Sequence, residues 1–359
     1  MAKIIAFYLP QFHPIKENDE WYGKGYTEWR IVAATKKQYR GHYQPHIPAD
    51  LGFYDLRLKQ TLIEQVKLAN QYGVDGFCYW HYWFGNGKEL LEQPFKMLLA
   101  DKTIKIDFSL AWANHSWNKK GWSPNEKDEL LVSQEYLGRQ DYEKHFYAYL
   151  DAFKDPRYTK VDDKPLFIIF SPLASPQIEC FINVWRELAH KEGIGDFYFV
   201  GHDINGMNKA QILNIGFDAV YDDRMLEINN RQNNVMKFLR KIKREVLHCP
   251  VVFDYKDAIK YMVTDDSIAE DIIPTVVPNW DHTPRDGGKG IILDNCKPEY
   301  FELLLNSAIK NIKNKPQSKQ IILVKSWNEW GEGNYLEPDM KYGKGYLKVI
   351  QKARKENGL

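Results

Sequence analysis

Residues 4–14, Ile4-Ile5-Ala6-Phe7-Tyr8-Leu9-Pro10-Gln11-Phe12-His13-Pro14, set an apolar β-rich run directly against a proline-bounded turn. A chain that alternates strands and helices either closes into a barrel or opens into a doubly wound sheet, and the turn after the first strand helps to separate the two. A doubly wound sheet usually carries glycines there, so that the backbone can approach a phosphate. Pro10 to Pro14 contains none. The expected fold is therefore α/β, a single (β/α)8 TIM barrel.

The rest of the chain repeats the pattern. Eight β-rich runs recur: Ile4 to Leu9, Val74 to Trp80, Ile106 to Ala113, Leu166 to Ser171, Phe197 to His202, Phe217 to Tyr221, Ile272 to Trp280 and Ile321 to Trp327. Between them lie segments of helical period. Leu58, Leu62, Ile63, Val66 and Ala69 recur at three- and four-residue steps, and Gly73 is placed to cap the helix. Ile178, Phe181, Ile182, Trp185 and Leu188 form a second stripe ended by Gly193, and Phe301, Leu304, Leu305, Ala308 and Ile312 a third. Residues 10–57 and 222–271 become long loops over the active face. Residues 1–359 are read as one domain, since such barrels commonly occupy roughly 250 residues or more as one unit.

Forty-nine basic against forty-eight acidic residues leave no bulk positive charge to attract nucleic acid or an anionic membrane. The run Arg240, Lys241, Lys243 and Arg244 is expected to form the solvated face of a helix whose other side carries Phe238, Leu239 and Ile242. Cys78, Cys180, Cys249 and Cys296 lack the close spacing of a metal site or a small disulfide framework, and are read as reduced and mostly buried. Residues 4–9 are too short for a signal sequence, which predicts a cytoplasmic protein without a membrane span.

In a barrel of this kind catalytic groups sit at the C-terminal ends of strands. Those ends hold Tyr8 with Gln11 and His13; Trp80, His81 and Tyr82; Trp112, Asn114 and Trp117; His202 and Asp203; Asp222 and Asp223; Trp280, Asp281, His282 and Arg285; and Asn328, Glu329 and Glu332. Aromatic rings beside carboxylates, amides and imidazoles suit a sugar, whose apolar faces stack on rings while its hydroxyls take planar polar partners. The candidate substrate contacts are Tyr8, His13, Trp80, His81, Trp112, Asn114, Trp117, Trp280, Asp281, Arg285 and Asn328. A stacking platform is expected among Trp80, Trp112, Trp117 and Trp280.

The sharpest segment is Lys325-Ser326-Trp327-Asn328-Glu329-Trp330-Gly331-Glu332-Gly333, followed by Tyr335-Leu336-Glu337-Pro338. Two carboxylates three residues apart on a glycine-containing turn suit a catalytic pair, one acting as acid and the other as base or nucleophile. The pattern alone fits equally well two solvated glutamates at a helix start.

This segment resembles the N-E-W-x-E-G-x-x-x-E-P signature of the glycoside hydrolase family 99 superfamily, with its endo-α-mannosidases and WbsX-like proteins. The WbsX-like branch is the closer match. Its hallmarks run along most of the chain: Ala6 to Pro14, Asn18-Asp19-Glu20-Trp21, Gly25-Tyr26-Thr27-Glu28-Trp29, Gln44-Pro45, Gly73 to Phe77, Tyr79 to Trp83, Trp112-Ala113-Asn114 and Trp280 to Arg285. The resemblance implies that Glu329 deprotonates the sugar 2-hydroxyl, whose oxygen attacks the anomeric carbon to give a 1,2-anhydro sugar. It makes Glu332 the general acid and then the general base, with Asn328 as a hydrogen-bond partner. It implies a retaining glycoside hydrolase acting on a bacterial poly- or oligosaccharide. The sequence departs from the hydrolase pattern at Asn334, usually Thr, and at Gly331, often His.

Two other functions compete. A glycosyltransferase of lipopolysaccharide, O-antigen or capsule synthesis should show a phosphate-binding glycine turn or a metal-binding Asp-x-Asp, for which Asp222-Asp223 is the best substitute. A non-catalytic carbohydrate-binding barrel has no need of an acid–base pair. The proposed chemistry calls for no cofactor, and the histidines lack metal-ligand spacing such as H-E-x-x-H.

Overall fold

The computed structural model describes residues 2–119 and 129–358. Strands β1 (Lys3–Tyr8), β2 (Gly76–Trp83), β3 (Asp107–Trp112), β4 (Lys164–Ile169), β5 (Tyr198–Ile204), β6 (Ala219–Asp223), β7 (Ile272–Val276) and β8 (Ile321–Val324) each pair in parallel with the next. β8 then pairs with β1, and β1 with β2, so the eight strands close into a (β/α)8 TIM barrel. The predicted runs found all eight strands. The seventh stops at Val276 rather than Trp280. Trp280–Asp281 instead joins Ile291–Asp294 and Val251–Asp254 in a small sheet beside the mouth.

The main helices are α1 (Trp29–Ala34), α2 (Lys59–Tyr72), α3 (Arg139–Ala148), α4 (Ile178–Lys191), α5 (Asn234–Glu245), α6 (Pro298–Ile312) and α7 (Gly345–Asn357). α2 buries Leu62, Val66 and Ala69 as their spacing requires, while Leu58 stays exposed one residue before the helix. Gly73 ends α2 in the left-handed region, at φ 83°. A Cβ there would lie 2.4 Å from Arg354 of α7, which donates to the Gly73 carbonyl, so both conformation and close approach require glycine. Among the described residues no helix is long and apolar enough to cross a membrane.

The period of two decides which strand residues reach the barrel interior. Phe7, Trp80, Phe170, His202 and Tyr221 point inward and touch in a closed circuit, with ring centroids 4.5–5.5 Å apart. This aromatic layer is the floor of the mouth. Their neighbours of opposite parity point at the helices: Tyr8 donates to Gln65 of α2 at 2.8 Å, His81 meets His145 of α3 at 2.6 Å, and Trp112 packs on Phe181 of α4.

Two further expectations change. Cys78 is buried, but Cys180 is exposed and Cys249 and Cys296 are half-buried, so the cysteines are not mostly buried; all four are free. The helix carrying Arg240 to Arg244 is α5, and its orientation is reversed. Lys237, Arg240 and Arg244 turn toward the protein, whereas Phe238, Leu239 and Ile242 face outward.

Candidate active site

After β8 the chain forms a tight hairpin rather than a helix start. Asn328–Glu329 pairs antiparallel with Asn334–Tyr335 across a single 3-10 turn, Trp330–Glu332. Trp330 stacks on Tyr335 at 3.7 Å and donates its indole N–H to Glu337. Glu337 also accepts from Tyr54 and from Gln65, so a buried carboxyl ties hairpin, loop and α2 together. Burial pushes its pKa up to about 7. Asn328 clamps the same hairpin to β1, accepting from the Leu9 N–H at 2.7 Å and donating to the Leu9 carbonyl at 3.0 Å.

Both glycines of the turn answer to neighbours. A Cβ at Gly331 would lie 2.6 Å from a carboxylate oxygen of Glu28, so the histidine found here in the hydrolase pattern has no room while Glu28 occupies that place. Gly333 has φ 55°, and a Cβ would sit 2.7 Å from the Asp281 Cβ and 2.8 Å from its backbone nitrogen. A left-handed conformation costs a non-glycine residue about 1–2 kcal/mol and overpacking about 1–3 kcal/mol more. Gly333→Ala is accordingly expected to destabilise the fold by roughly 2–4 kcal/mol in urea unfolding. An unchanged midpoint would show that the turn is not held as described.

Glu329 is buried and accepts the indole N–H of Trp80. Glu332 accepts from Arg285 at 2.5 Å, and His282 approaches it at 3.7 Å. Arg285 also grips Glu28 through two nitrogens, at 2.5 and 3.0 Å. Burial and then the charge of Glu332 push the Glu329 carboxyl well above the usual range. Burial acts upward on Glu332 as well, but Arg285, His282 and Lys325 outweigh it and hold this carboxyl low. The two surroundings thus push the pair apart, with Glu329 the carboxyl that holds a proton more tightly.

Lys325 completes the cluster. Its ammonium lies 3.1 Å from Asp223 and 5.2 Å from the Trp280 ring, while Trp280 stacks on His282. Burial lowers the His282 pKa, but Asp286 and Glu332 outweigh it and raise it to about 9. Because the folded value exceeds the ordinary 6.5, the stability from protonated His282 is full below pH 6.5 and is lost as pH rises through about 9. The stability gap between the native protein and His282→Gln should shrink across that interval when unfolding is followed from about pH 6 to about pH 10. A gap independent of pH would place the imidazole outside the ion pair.

The structure brings Trp80, Trp280 and Arg285 together around Glu329 and Glu332. Asn328 and Asp281 sit behind the hairpin; Asp281 is saturated by His42, Gln44 and Thr283. Asn114 joins the ends of β3 and β4 by bonding both backbone groups of Ser171. Its role there is support rather than substrate contact. His13 is buried, which lowers its pKa, and it feels the charges of Asp55, Arg57 and Glu92. Tyr8, His81 and Trp112 are corrected outright, since each points away from the mouth into the helix layer. Tyr8 still serves the site at one remove, through Gln65 and Glu337.

Of the four tryptophans expected to offer a platform, Trp80, Trp112 and Trp280 are buried and Trp117 is half-exposed. Trp117 packs edge-on against Trp21 and Tyr82. Tyr22 and Tyr26, stacked at 4.4 Å, are also half-exposed and feel the charges of Glu28 and Arg285. Glu28, His282, Lys325 and these loop aromatics were absent from the candidate contacts. For Lys325 the signal was available in its inward parity at the end of β8; for Glu28 the only signal was its motif.

The chain matches the model of the family described as Glycosyltransferase WbsX over residues 4–350. It is 36% identical over 358 residues to the uncharacterized protein WxcX of Xanthomonas campestris pv. campestris strain B100, and 35% identical over 359 residues to WxcX of strain ATCC 33913. Each alignment covers 98% of this chain and 49% of the relative, so the chain spans about half the length of these relatives. Among solved structures, a glycoside hydrolase-like protein superposes with a TM-score of 0.62 at 16% identity, covering 98% of this chain and 93% of its own. The family 99 endo-α-mannosidase of Bacteroides thetaiotaomicron, in complex with bis-tris-propane, superposes with a TM-score of 0.60 at 17% identity, covering 99% and 97%. Those structures share the barrel, and the match over residues 4–350 identifies the family: this chain is a member of the WbsX family.

Proposed function

We propose that the chain is a carbohydrate-active enzyme that breaks glycosidic bonds with retention, using Glu329 and Glu332. The observation that carries this reading is the pair itself: two carboxyls three residues apart over the aromatic floor of the mouth, Glu329 held by the Trp80 indole and Glu332 by Arg285, in surroundings that push their proton affinities apart. A pair with no chemical task would be a costly choice, since burying carboxyls together stabilises little. Family membership, under a glycosyltransferase description, supports a saccharide substrate.

In the proposed course Glu329 takes the proton of the sugar 2-hydroxyl, and that oxygen attacks the anomeric carbon. The bond to the leaving oxygen breaks as Glu332 delivers its proton. Water then opens the 1,2-anhydro ring, Glu332 taking its proton while Glu329 returns the first proton to the 2-oxygen, and two inversions at one carbon give retention. The resting proton sits on Glu329, opposite to these roles. A bound sugar reverses the order, because its 2-hydroxyl stabilises ionised Glu329 by donating to it while its glycosidic oxygen stabilises protonated Glu332 by accepting from it.

Transfer is the second reading, favoured by the family description. An alcohol in place of water at the second step would make the same site a transglycosylase. Transfer from a nucleotide sugar finds less support: Asp222 and Asp223 point to opposite sides of β6, and each is paired with its own cation, Arg224 or Lys325. Incubation of the protein with bacterial surface polysaccharides should release reducing ends. Release of nucleotide from sugar donors, without reducing ends from any glycan, would replace hydrolysis by transfer.

A further inference from the structure

We propose that the outward face of α5 seats the protein on an anionic membrane surface. Val235, Phe238, Leu239, Ile242 and, at the C-terminal cap, Val246 are related by three-, four- and seven-residue spacings that put them on a single stripe. Such a stripe ordinarily faces a core. Here every member is exposed, Phe238 at 62% and Val246 at 67%, and no residue of the helix is buried.

The orientation is fixed by the polar side. Arg240 lies 4.3 Å from the Phe253 ring in the small sheet, and Lys237 and Arg244 are half-buried beside it. Asn233 caps the helix by accepting from the Met236 N–H at 2.8 Å. The apolar side therefore has nowhere to turn.

Charge selects the occupant. α5 carries Lys237, Arg240, Lys241, Lys243 and Arg244 against the single acid Glu245, in a chain whose charges otherwise nearly cancel. Lys241 and Lys243 are exposed and flank the stripe on either side, as basic residues do on a helix lying at a lipid interface. A stable protein partner usually engages roughly 20–30 residues a side. One convex helix presenting five apolar side chains falls well short of that, whereas a bilayer needs no matching groove.

The position is consistent with this. α5 follows β6 and leans on the strand Val251–Asp254, which pairs with Ile291–Asp294 and so with Trp280–Asp281 at the mouth. Docking would hold the mouth near the lipid surface. It does not depend on what reaction occurs there.

The test is sedimentation of the full chain with vesicles of phosphatidylcholine alone or mixed with phosphatidylglycerol. Binding should favour the anionic vesicles by about tenfold or more and weaken with salt. Phe238→Ser/Leu239→Ser/Ile242→Ser should lose about tenfold or more of that binding with an unchanged melting temperature, because these side chains are exposed. Lys241→Glu/Lys243→Glu should weaken it as well. The proposal is overturned if the native protein ignores both vesicles or binds them equally, or if the triple variant sediments like the native chain. Dimers in sedimentation velocity that the triple variant abolishes, without vesicle binding, would assign the face to a second copy and overturn it too.

Discussion

Glu329→Gln should reduce turnover of natural glycosides and of aryl glycosides alike, by at least about 10²–10⁴-fold. Glu332→Gln should remove activity on natural glycosides by a similar factor, yet spare part of the turnover of an aryl glycoside. The difference lies in the leaving group. A phenolate departs without a proton, so the acid becomes dispensable in the first step, whereas the 2-hydroxyl must still be deprotonated by Glu329 whatever leaves. If the resting proton distribution were also the working one, Glu329 would be the acid and the two phenotypes would exchange. Equal, native-like rates in both variants would remove the pair from the mechanism and revive the binding-barrel reading.

Arg285→Met should cost roughly 3 kcal/mol of stability at neutral pH as well as most of the activity. Arg285 is the common cation of Glu28 and Glu332, and its removal leaves two largely buried carboxylates facing each other. The low end of the range for breaking a buried pair is appropriate because the Arg285 side chain retains 28% exposure. The sign with pH follows from Glu332, whose folded pKa lies below its ordinary 4.5. Its stabilisation is present above 4.5 and is lost as pH falls through the lower folded value. The gap between native and variant should therefore narrow in acid. Urea unfolding of both proteins at neutral and acid pH checks this, and a variant as stable as the native chain would mean that Glu28 and Glu332 find other partners.

The barrel was legible because its evidence is periodic. Eight apolar runs, their intervening stripes and the proline-bounded turn at residues 10–14 each follow from local rules. Boundaries slipped where an apolar run outlasts its ladder, as from Val277 to Trp280, which leaves the barrel for the small sheet. The paired glutamates were legible because motif and strand end coincide.

The surrounding contacts were less so, for a reason that Tyr8, His81 and Trp112 illustrate. A strand end holds both inward and outward residues, and only parity tells them apart. With Phe7 and Trp80 assigned to the interior, Tyr8 and His81 could have been placed in the helix layer. Glu28 is a different case: it lies 257 residues from Arg285 in sequence, and no local pattern joins them. The outward stripe of α5 was read as a helix in the right place, but amphipathic spacing does not state which side faces the protein.

The proposal on which the rest depends is that Glu329 and Glu332 together carry the chemistry of the mouth. Its most direct test compares the native chain with Glu329→Gln/Glu332→Gln on a polysaccharide from which the native protein releases reducing ends, with the melting temperature measured in parallel. Release should fall to background in a variant that remains folded, since glutamine keeps the shape of each side chain and removes only its acid–base function. Release near the native rate from the folded double variant would contradict it.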